Sequence, residues 1–134
     1  MSQVPGHLDS RRLKGKRGLR RVLNATRYSF DGLLAAWRNE DAFRQEVLAC
    51  VFLGPLALLL PLVLIEKVAL IGVLVLVLIV ELLNSGIEAA IDRDSMEINQ
   101  LGKRAKDLGS AAVMLSLLLA GGTWLAVLFT RFVL

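Results

Sequence analysis

Three apolar stretches, each long enough to cross a membrane as a helix, constrain this chain more than any other feature of its sequence. An α-helix needs about 20 mostly apolar residues to cross the hydrocarbon core of a bilayer. The sequence meets this length at 47–65, 68–91 and 108–130, and the segment 68–80 has no polar side chain. With 55% hydrophobic residues in a chain of 134, the sequence predicts an all-α membrane protein with three transmembrane helices.

The N-terminal part of the chain has a different composition. Residues 1–17 contain five Lys or Arg and few apolar residues, which predicts a disordered basic tail that touches anionic lipid. In 19–37, apolar residues recur at helical spacing and charged residues occupy the other faces. This segment is too polar to span a bilayer, so we expect an amphipathic helix at the membrane surface. Residues 18–134 are predicted to form one domain.

The basic residues are distributed unevenly along the chain. Ten of the sixteen Lys and Arg lie in the first 46 positions and four more lie in 92–106, whereas Lys67 and Arg131 fall on the other side of the predicted spans. Because cytoplasmic loops carry the excess of Lys and Arg, we expect a cytoplasmic N-terminus and a periplasmic or external C-terminus. The net charge of +4 is then explained by the membrane surface, and no nucleic-acid partner is expected. The pair Glu66–Lys67 predicts a tight turn between the first two spans.

Polar residues enter the second apolar stretch within VELLNSGIEAAIDR, residues 80–93. At about 100° per residue, one stripe of the helix carries four of them. They are Glu81, Asn84, Glu88 and Asp92. With the cytoplasmic boundary near Asp92, Glu88 lies about 6 Å and Glu81 about 16 Å along the helix into the membrane. A carboxylate at the bilayer centre costs about 2.5 to 3.5 kcal/mol, so the stripe indicates a functional site. A polar seam between helices and a proton relay or ion site remain alternatives.

A second group of charged residues lies in GKRAKDLGSAA, residues 102–112, just before the third span. It contains the adjacent Lys106 and Asp107, and Lys106 shares a helical face with Ser110. Cations beside membrane carboxylates suit the binding of a polyanion, with Lys for phosphate oxygens and Glu for Mg²⁺. The sequence has no GxxxxGK[ST] loop and no kinase-type glycine-rich loop, so nucleotide chemistry would require another scaffold.

The chain resembles the bacterial integral-membrane diacylglycerol kinase family in three segments. These are AAWRNEDAFRQE (35–46), VELLNSGIEAAIDR (80–93) and GKRAKDLGSAA (102–112). The resemblance implies a homotrimer in the bacterial inner membrane, with three spanning helices and one surface helix in each subunit. It also implies transfer of the γ-phosphoryl group of MgATP to the primary hydroxyl of diacylglycerol, which gives phosphatidic acid.

The same resemblance implies roles for individual residues. Glu81 matches the family's proposed general base, and Asn84 belongs to the same catalytic motif. Glu40 and Glu88 match metal-binding carboxylates, so Mg²⁺ is the expected cofactor. The positions that match nucleotide contacts are Arg21, Tyr28, Glu40, Glu88, Glu97, Asn99, Lys106 and Asp107. The positions that match lipid-substrate contacts are Arg21, Ser29, Trp37, Glu46, Glu81 and Ser110.

Two other functions remain open on the sequence. Relatives of this fold phosphorylate undecaprenol, so another lipid alcohol is an alternative acceptor. The apolar pocket residues would discriminate the acceptors, and sequence periodicity does not identify those residues. A small proton-coupled transporter would also use an acidic stripe inside a membrane helix. Such a transporter has no reason to carry the cytoplasmic motifs.

Overall fold

The computed structural model of the chain describes residues 17–94 and 99–134. Four helices follow one another along the chain: α1 (Arg17–Asn39), α2 (Asp41–Leu59), α3 (Leu64–Asp94) and α4 (Gln100–Phe132). The last three are long and apolar enough to cross a membrane, and α1 is amphipathic. The predicted all-α fold class is therefore confirmed. The predicted basic tail, apart from Arg17, and Glu97 lie outside the described residues.

The chain divides into two compact units after Ala35. Most of α1 belongs to the first unit, and α2, α3 and α4 belong to the second. Within α1, Thr26 Oγ1 donates to the carbonyl of Val22, and Ser29 Oγ donates to that of Ala25, both at 2.9 Å. These short polar side chains therefore bond to the backbone of the preceding turn.

The break between α2 and α3 differs from the sequence prediction. Helix α2 continues through Pro55 and ends at Leu59, because Leu60 is extended (φ −64°, ψ 147°). Pro61 follows, and a residue before proline is driven away from helical conformation. The predicted span 47–65 is therefore wrong at its C-terminal end. The turn predicted at Glu66–Lys67 is also wrong, since α3 has already begun at Leu64.

Charged side chains complete this turn. Carbonyls in the last turn of a helix lack partners within it. Lys67 Nζ donates to the Leu58 carbonyl at 2.6 Å, and Arg131 Nε donates to the Pro61 carbonyl at 2.9 Å. The Glu66 carboxylate accepts from a backbone N–H of the turn at 2.9 Å. Because Arg131 lies on α4, its hydrogen bond connects the end of α4 to the α2–α3 turn.

Helix α3 is central in the second unit, because it packs against both α2 and α4. The buried core consists of Ala57, Leu62, Leu70, Leu74 and Trp124. Trp124 Nε1 donates to the Leu70 carbonyl at 3.3 Å, so a hydrogen bond as well as packing joins α4 to α3. Helices in lipid associate through such packing and interhelical hydrogen bonds. This arrangement places the polar stripe of α3 between two neighbouring helices.

Candidate active site

Glu81 is buried inside the helical bundle, with 5% of its surface exposed. It lies in the middle of the most apolar helix, α3. Three other carboxylates lie within electrostatic range of it. They are Glu40 before α2, Glu46 on α2 and Glu88 on α3. The structure therefore brings three other predicted site residues, from α2, its N-cap and α3, into the neighbourhood of the buried Glu81.

Glu40 occupies the junction between α1 and α2. Its backbone is extended (φ −115°, ψ 111°), and in the described part of the chain its side chain makes no capping hydrogen bond. Arg44 bridges the junction instead, because its Nη1 donates to the carbonyls of Trp37 at 2.9 Å and Arg38 at 3.1 Å. The Glu40 carboxylate is therefore not used to hold the helix start. It can take part in the site around Glu81.

Asn84 lies between Glu81 and Glu88 on the stripe. Its Nδ2 donates to Glu88 Oε1 at 3.3 Å. Its Oδ1 is buried and, among the residues that the structure describes, has no hydrogen-bond partner. Glu46 Oε2 is a second buried oxygen of this kind. A buried polar atom without a partner is costly, so two of them beside Glu81 indicate a place for a polar ligand or water.

Gly109 on α4 faces Asn84, and the sequence interpretation missed it. Gly109 is buried, and a Cβ added to it would overlap Asn84 Oδ1. Glycine inside a helix costs about 1 kcal/mol relative to alanine, so its presence there calls for a physical reason. That reason is the close approach of the Asn84 amide. The sequence does contain an indication of its importance, because Gly109 lies within 102–112, one of the segments that carry the family resemblance.

The cytoplasmic end of the stripe carries two ion pairs. Lys106 Nζ lies 2.5 Å from Asp92 Oδ1, and Lys103 Nζ lies 2.6 Å from Asp107 Oδ2. Lys106 also lies within electrostatic range of Glu88. Lys106 and Asp107 are adjacent in the sequence, yet each pairs with a different residue. Exposed pairs of this kind contribute little to stability, so Lys106 can exchange its carboxylate for a phosphate oxygen at small cost.

The remaining predicted site residues occupy more open positions. Asn99 caps α4, since its Oδ1 accepts from the Gly102 N–H at 2.5 Å. Ser110 is exposed beside Gly109, and Trp37 is 41% exposed. Three further residues, Arg21, Tyr28 and Ser29, belong to the first compact unit. Their roles, like that of Glu97 outside the described residues, stay predictions.

Two carboxylates of the site are oxygen donors of the kind that Mg²⁺ binds. Across 17–94 and 99–134, no three His, Cys, Asp or Glu side chains are grouped closely enough to hold a metal alone. Mg²⁺ usually keeps several waters and binds through one or two carboxylates plus substrate phosphates. Glu40 and Glu88 supply two hard oxygen donors, both within electrostatic range of Glu81. Two carboxylates are the number that Mg²⁺ usually takes from a protein when substrate phosphates supply other oxygens.

An apolar cavity of about 290 Å³ lies between α2, α3 and α4. Glu46 is the charged residue in its lining. The other lining residues are Ala49, Cys50, Leu53, Leu74, Val77, Leu117, Ala120, Gly121 and Trp124. Pockets that combine apolar walls with a few polar groups are typical of small-molecule sites. A carboxylate beside apolar walls suits a molecule with a polar and an apolar part.

Comparison with known proteins gives consistent matches over most of the chain. The family model described as prokaryotic diacylglycerol kinase matches residues 27–128. The diacylglycerol kinase of Pseudomonas aeruginosa PAO1 is 53% identical over 115 residues, which cover 86% of this chain and 94% of the relative. That of Escherichia coli K12 is 46% identical over 115 residues, with the same coverage. That of Helicobacter pylori 26695 is 40% identical over 118 residues, which cover 86% of this chain and 92% of the relative. The matched range 27–128 includes every residue gathered around Glu81.

Proposed function

The chain belongs to the prokaryotic diacylglycerol kinase family, and on this premise we propose that it transfers the γ-phosphoryl group of ATP to the primary hydroxyl of diacylglycerol. The product is phosphatidic acid. The observation that carries the proposal is the burial of Glu81 within an apolar spanning helix, with three carboxylates in electrostatic range. The hydroxyl of a membrane lipid does not leave the membrane. Glu81, within a membrane-spanning helix, is a carboxylate that such a hydroxyl can reach.

Glu81 acts in this proposal as the general base. The lipid hydroxyl gives its proton to a Glu81 oxygen while the hydroxyl oxygen bonds to the γ-phosphorus. The bond between the γ-phosphorus and the bridging oxygen breaks, and ADP leaves with that oxygen. Phosphoryl transfer needs mainly positioning and charge stabilisation, and proton transfer by a placed base contributes about 10²–10⁴-fold more.

The nucleotide end of the site consists of Glu40, Glu88 and Lys106. Mg²⁺, when bound, neutralises charge on the phosphates. Glu40 and Glu88 would hold it, and the Lys106 ammonium, within electrostatic range of Glu88, would bind phosphate oxygens. The assignment of Arg21, Tyr28, Glu97, Asn99 and Asp107 to the nucleotide rests on the family resemblance alone.

The lipid end of the site centres on Glu46. Its unpartnered Oε2 can accept a hydrogen bond from the glycerol part of the lipid, and the adjoining cavity is apolar. This combination matches a lipid alcohol, with its polar end at a carboxylate and its chain among apolar side chains. The assignment of Ser29, Trp37 and Ser110 to the lipid rests on the resemblance alone, as does a contact from Arg21.

The acceptor is tested with purified protein in mixed micelles, with diacylglycerol and undecaprenol supplied at equal mole fractions. We expect ATP- and Mg²⁺-dependent formation of phosphatidic acid, with one ADP released for each lipid phosphorylated. Transfer to undecaprenol alone would replace the proposed acceptor. The absence of lipid-dependent ATP turnover, with or without Mg²⁺, would contradict a lipid kinase and favour the transporter alternative.

A homotrimer in the bacterial inner membrane is the proposed assembly, with a cytoplasmic N-terminus and a periplasmic or external C-terminus. The distribution of Lys and Arg supports this orientation. Asp107 and Ser110 are exposed in a single chain, so a neighbouring subunit would cover the open side of the site. Native mass spectrometry of the purified protein is expected to give the mass of three chains. A fully active monomer would contradict the trimer.

A further inference from the structure

Asn84 of α3 and Gly109 of α4 meet inside the candidate active site. A Cβ on Gly109 would overlap Asn84 Oδ1, so the amide occupies the space that any larger residue at position 109 would need. Gly86 on α3 and Gly122 on α4 differ in this respect. Within the described parts of the chain, a Cβ at either position has no neighbouring heavy atom within 4 Å. Of these three glycines, Gly109 is therefore the one whose missing side chain leaves room for a neighbouring residue.

The other end of the Asn84 amide is directed at Glu88. A carboxylate only accepts hydrogen bonds, so the Nδ2 end of the amide must face it, and Nδ2 lies 3.3 Å from Glu88 Oε1. The amide is planar, so its position against Gly109 also determines where Nδ2 points. Oδ1 remains buried without a partner among the described residues. Among the described residues, the hydrogen bond that the Asn84 amide makes is therefore the one to Glu88.

We propose that Asn84 and Gly109 are a positioning pair for the Glu88 carboxylate. Gly109 admits the Asn84 amide between α3 and α4, and the amide orients Glu88 toward the metal–nucleotide complex. This inference rests on the proposed function, in which Glu88 is a ligand of Mg²⁺. Groups that orient a metal ligand typically contribute about 10–100-fold to metal affinity or activity. A contact that served packing alone would contribute to stability and leave metal affinity unchanged.

The test measures metal binding and stability separately, on the purified full-length chain. Mn²⁺ is a paramagnetic substitute for Mg²⁺, and its binding with a non-hydrolysable ATP analogue is followed by electron paramagnetic resonance. Asn84→Leu keeps the branched shape and heavy-atom number of the side chain, and it removes both the Nδ2 donor and the unpartnered oxygen. We expect about 10–100-fold weaker Mn²⁺ binding at an unchanged or higher Tm. Gly122→Ala, the matched control on α4, should leave Mn²⁺ binding unchanged.

A double-variant cycle tests whether the two residues act together. Gly109→Ala should weaken Mn²⁺ binding and lower Tm, because its methyl group displaces the amide. In an Asn84→Ala background, the same change should lower Tm much less and cause no further loss of Mn²⁺ affinity, since residues in contact are not additive. Independent effects on Mn²⁺ affinity, multiplied in the double variant, would overturn the pairing.

Wild-type Mn²⁺ affinity in Asn84→Leu would overturn the proposal even if Gly109→Ala failed to fold. Failure of the proposed function is distinguishable from this result. If the proposed function were wrong, the wild-type protein would itself bind no Mn²⁺–nucleotide complex and would phosphorylate no diacylglycerol. Both proposals would then be overturned.

Discussion

Replacing Glu81 with glutamine is expected to slow phosphoryl transfer to diacylglycerol by about 10²–10⁴-fold. Glutamine has nearly the same shape, and it cannot take a proton from the lipid hydroxyl. Glu81 is buried, and replacing its carboxylate with a neutral amide relieves its repulsion with Glu40 and Glu88, so the variant should fold. Turnover is measured in mixed micelles at saturating ATP and lipid, and nucleotide binding is measured separately.

Glu66→Gln is the matched control, because Glu66 lies on the same helix at its other end. Its carboxylate accepts from the Val63 N–H, and a glutamine amide oxygen can accept the same hydrogen bond. We therefore expect turnover close to wild type. Near-normal turnover in Glu81→Gln would remove the general-base assignment. Loss of nucleotide binding along with turnover would reassign Glu81 to the nucleotide end of the site.

Replacing Glu88 with glutamine is expected to weaken Mg²⁺-dependent nucleotide binding at least about tenfold. The change removes a charge that Mg²⁺ prefers in its oxygen ligands. It also removes the charge from the oxygen that accepts from Asn84 Nδ2. Binding is measured by titrating a non-hydrolysable ATP analogue at several Mg²⁺ concentrations. The variant should require more Mg²⁺ for half-saturation, while binding of the metal-free analogue changes little.

The two glutamate variants form a contrasting pair. Glu81→Gln should lower kcat and leave the Mg²⁺ dependence as in the wild type, whereas Glu88→Gln should shift the Mg²⁺ dependence. A variant that loses an interaction made only in the transition state loses kcat, and one that loses ground-state binding raises the concentration required. The same Mg²⁺ dependence in Glu88→Gln and the wild type would contradict the metal role of Glu88.

Features of the fold that depend on a single helix could be predicted from the sequence. The length of the apolar stretches predicted three spanning helices, and helical periodicity placed Glu81, Asn84 and Glu88 on one stripe. The end of α2 was not predictable in this way. Hydropathy continues past Pro61 without a change, whereas the backbone already departs from the helix at Leu60. A scale of side-chain polarity does not report a break made by backbone geometry.

The contacts of the site between helices depend on information that periodicity lacks. The packing of three helices determines which residues of α2 and α4 face Glu81. The spacing of residues along the sequence does not contain this information, so Glu46 was predicted from the family resemblance. Gly109 was missed because it stands among other small residues, Ser110 and Ala111, and all are compatible with a membrane helix. Only the packed structure shows that a methyl group at position 109 meets Asn84.

The hydrogen bond from Arg131 to Pro61 joins residues 70 positions apart. Synthesis proceeds from the N-terminus, so the α2–α3 turn exists well before its donor is made. Until Arg131 is made, the Pro61 carbonyl lacks this hydrogen-bond donor. The insertion of α4 is therefore the step that completes the preceding hairpin. A nascent chain that ends before Arg131 lacks this hydrogen bond, whereas the contacts of Lys67 and Glu66 within the turn can already form.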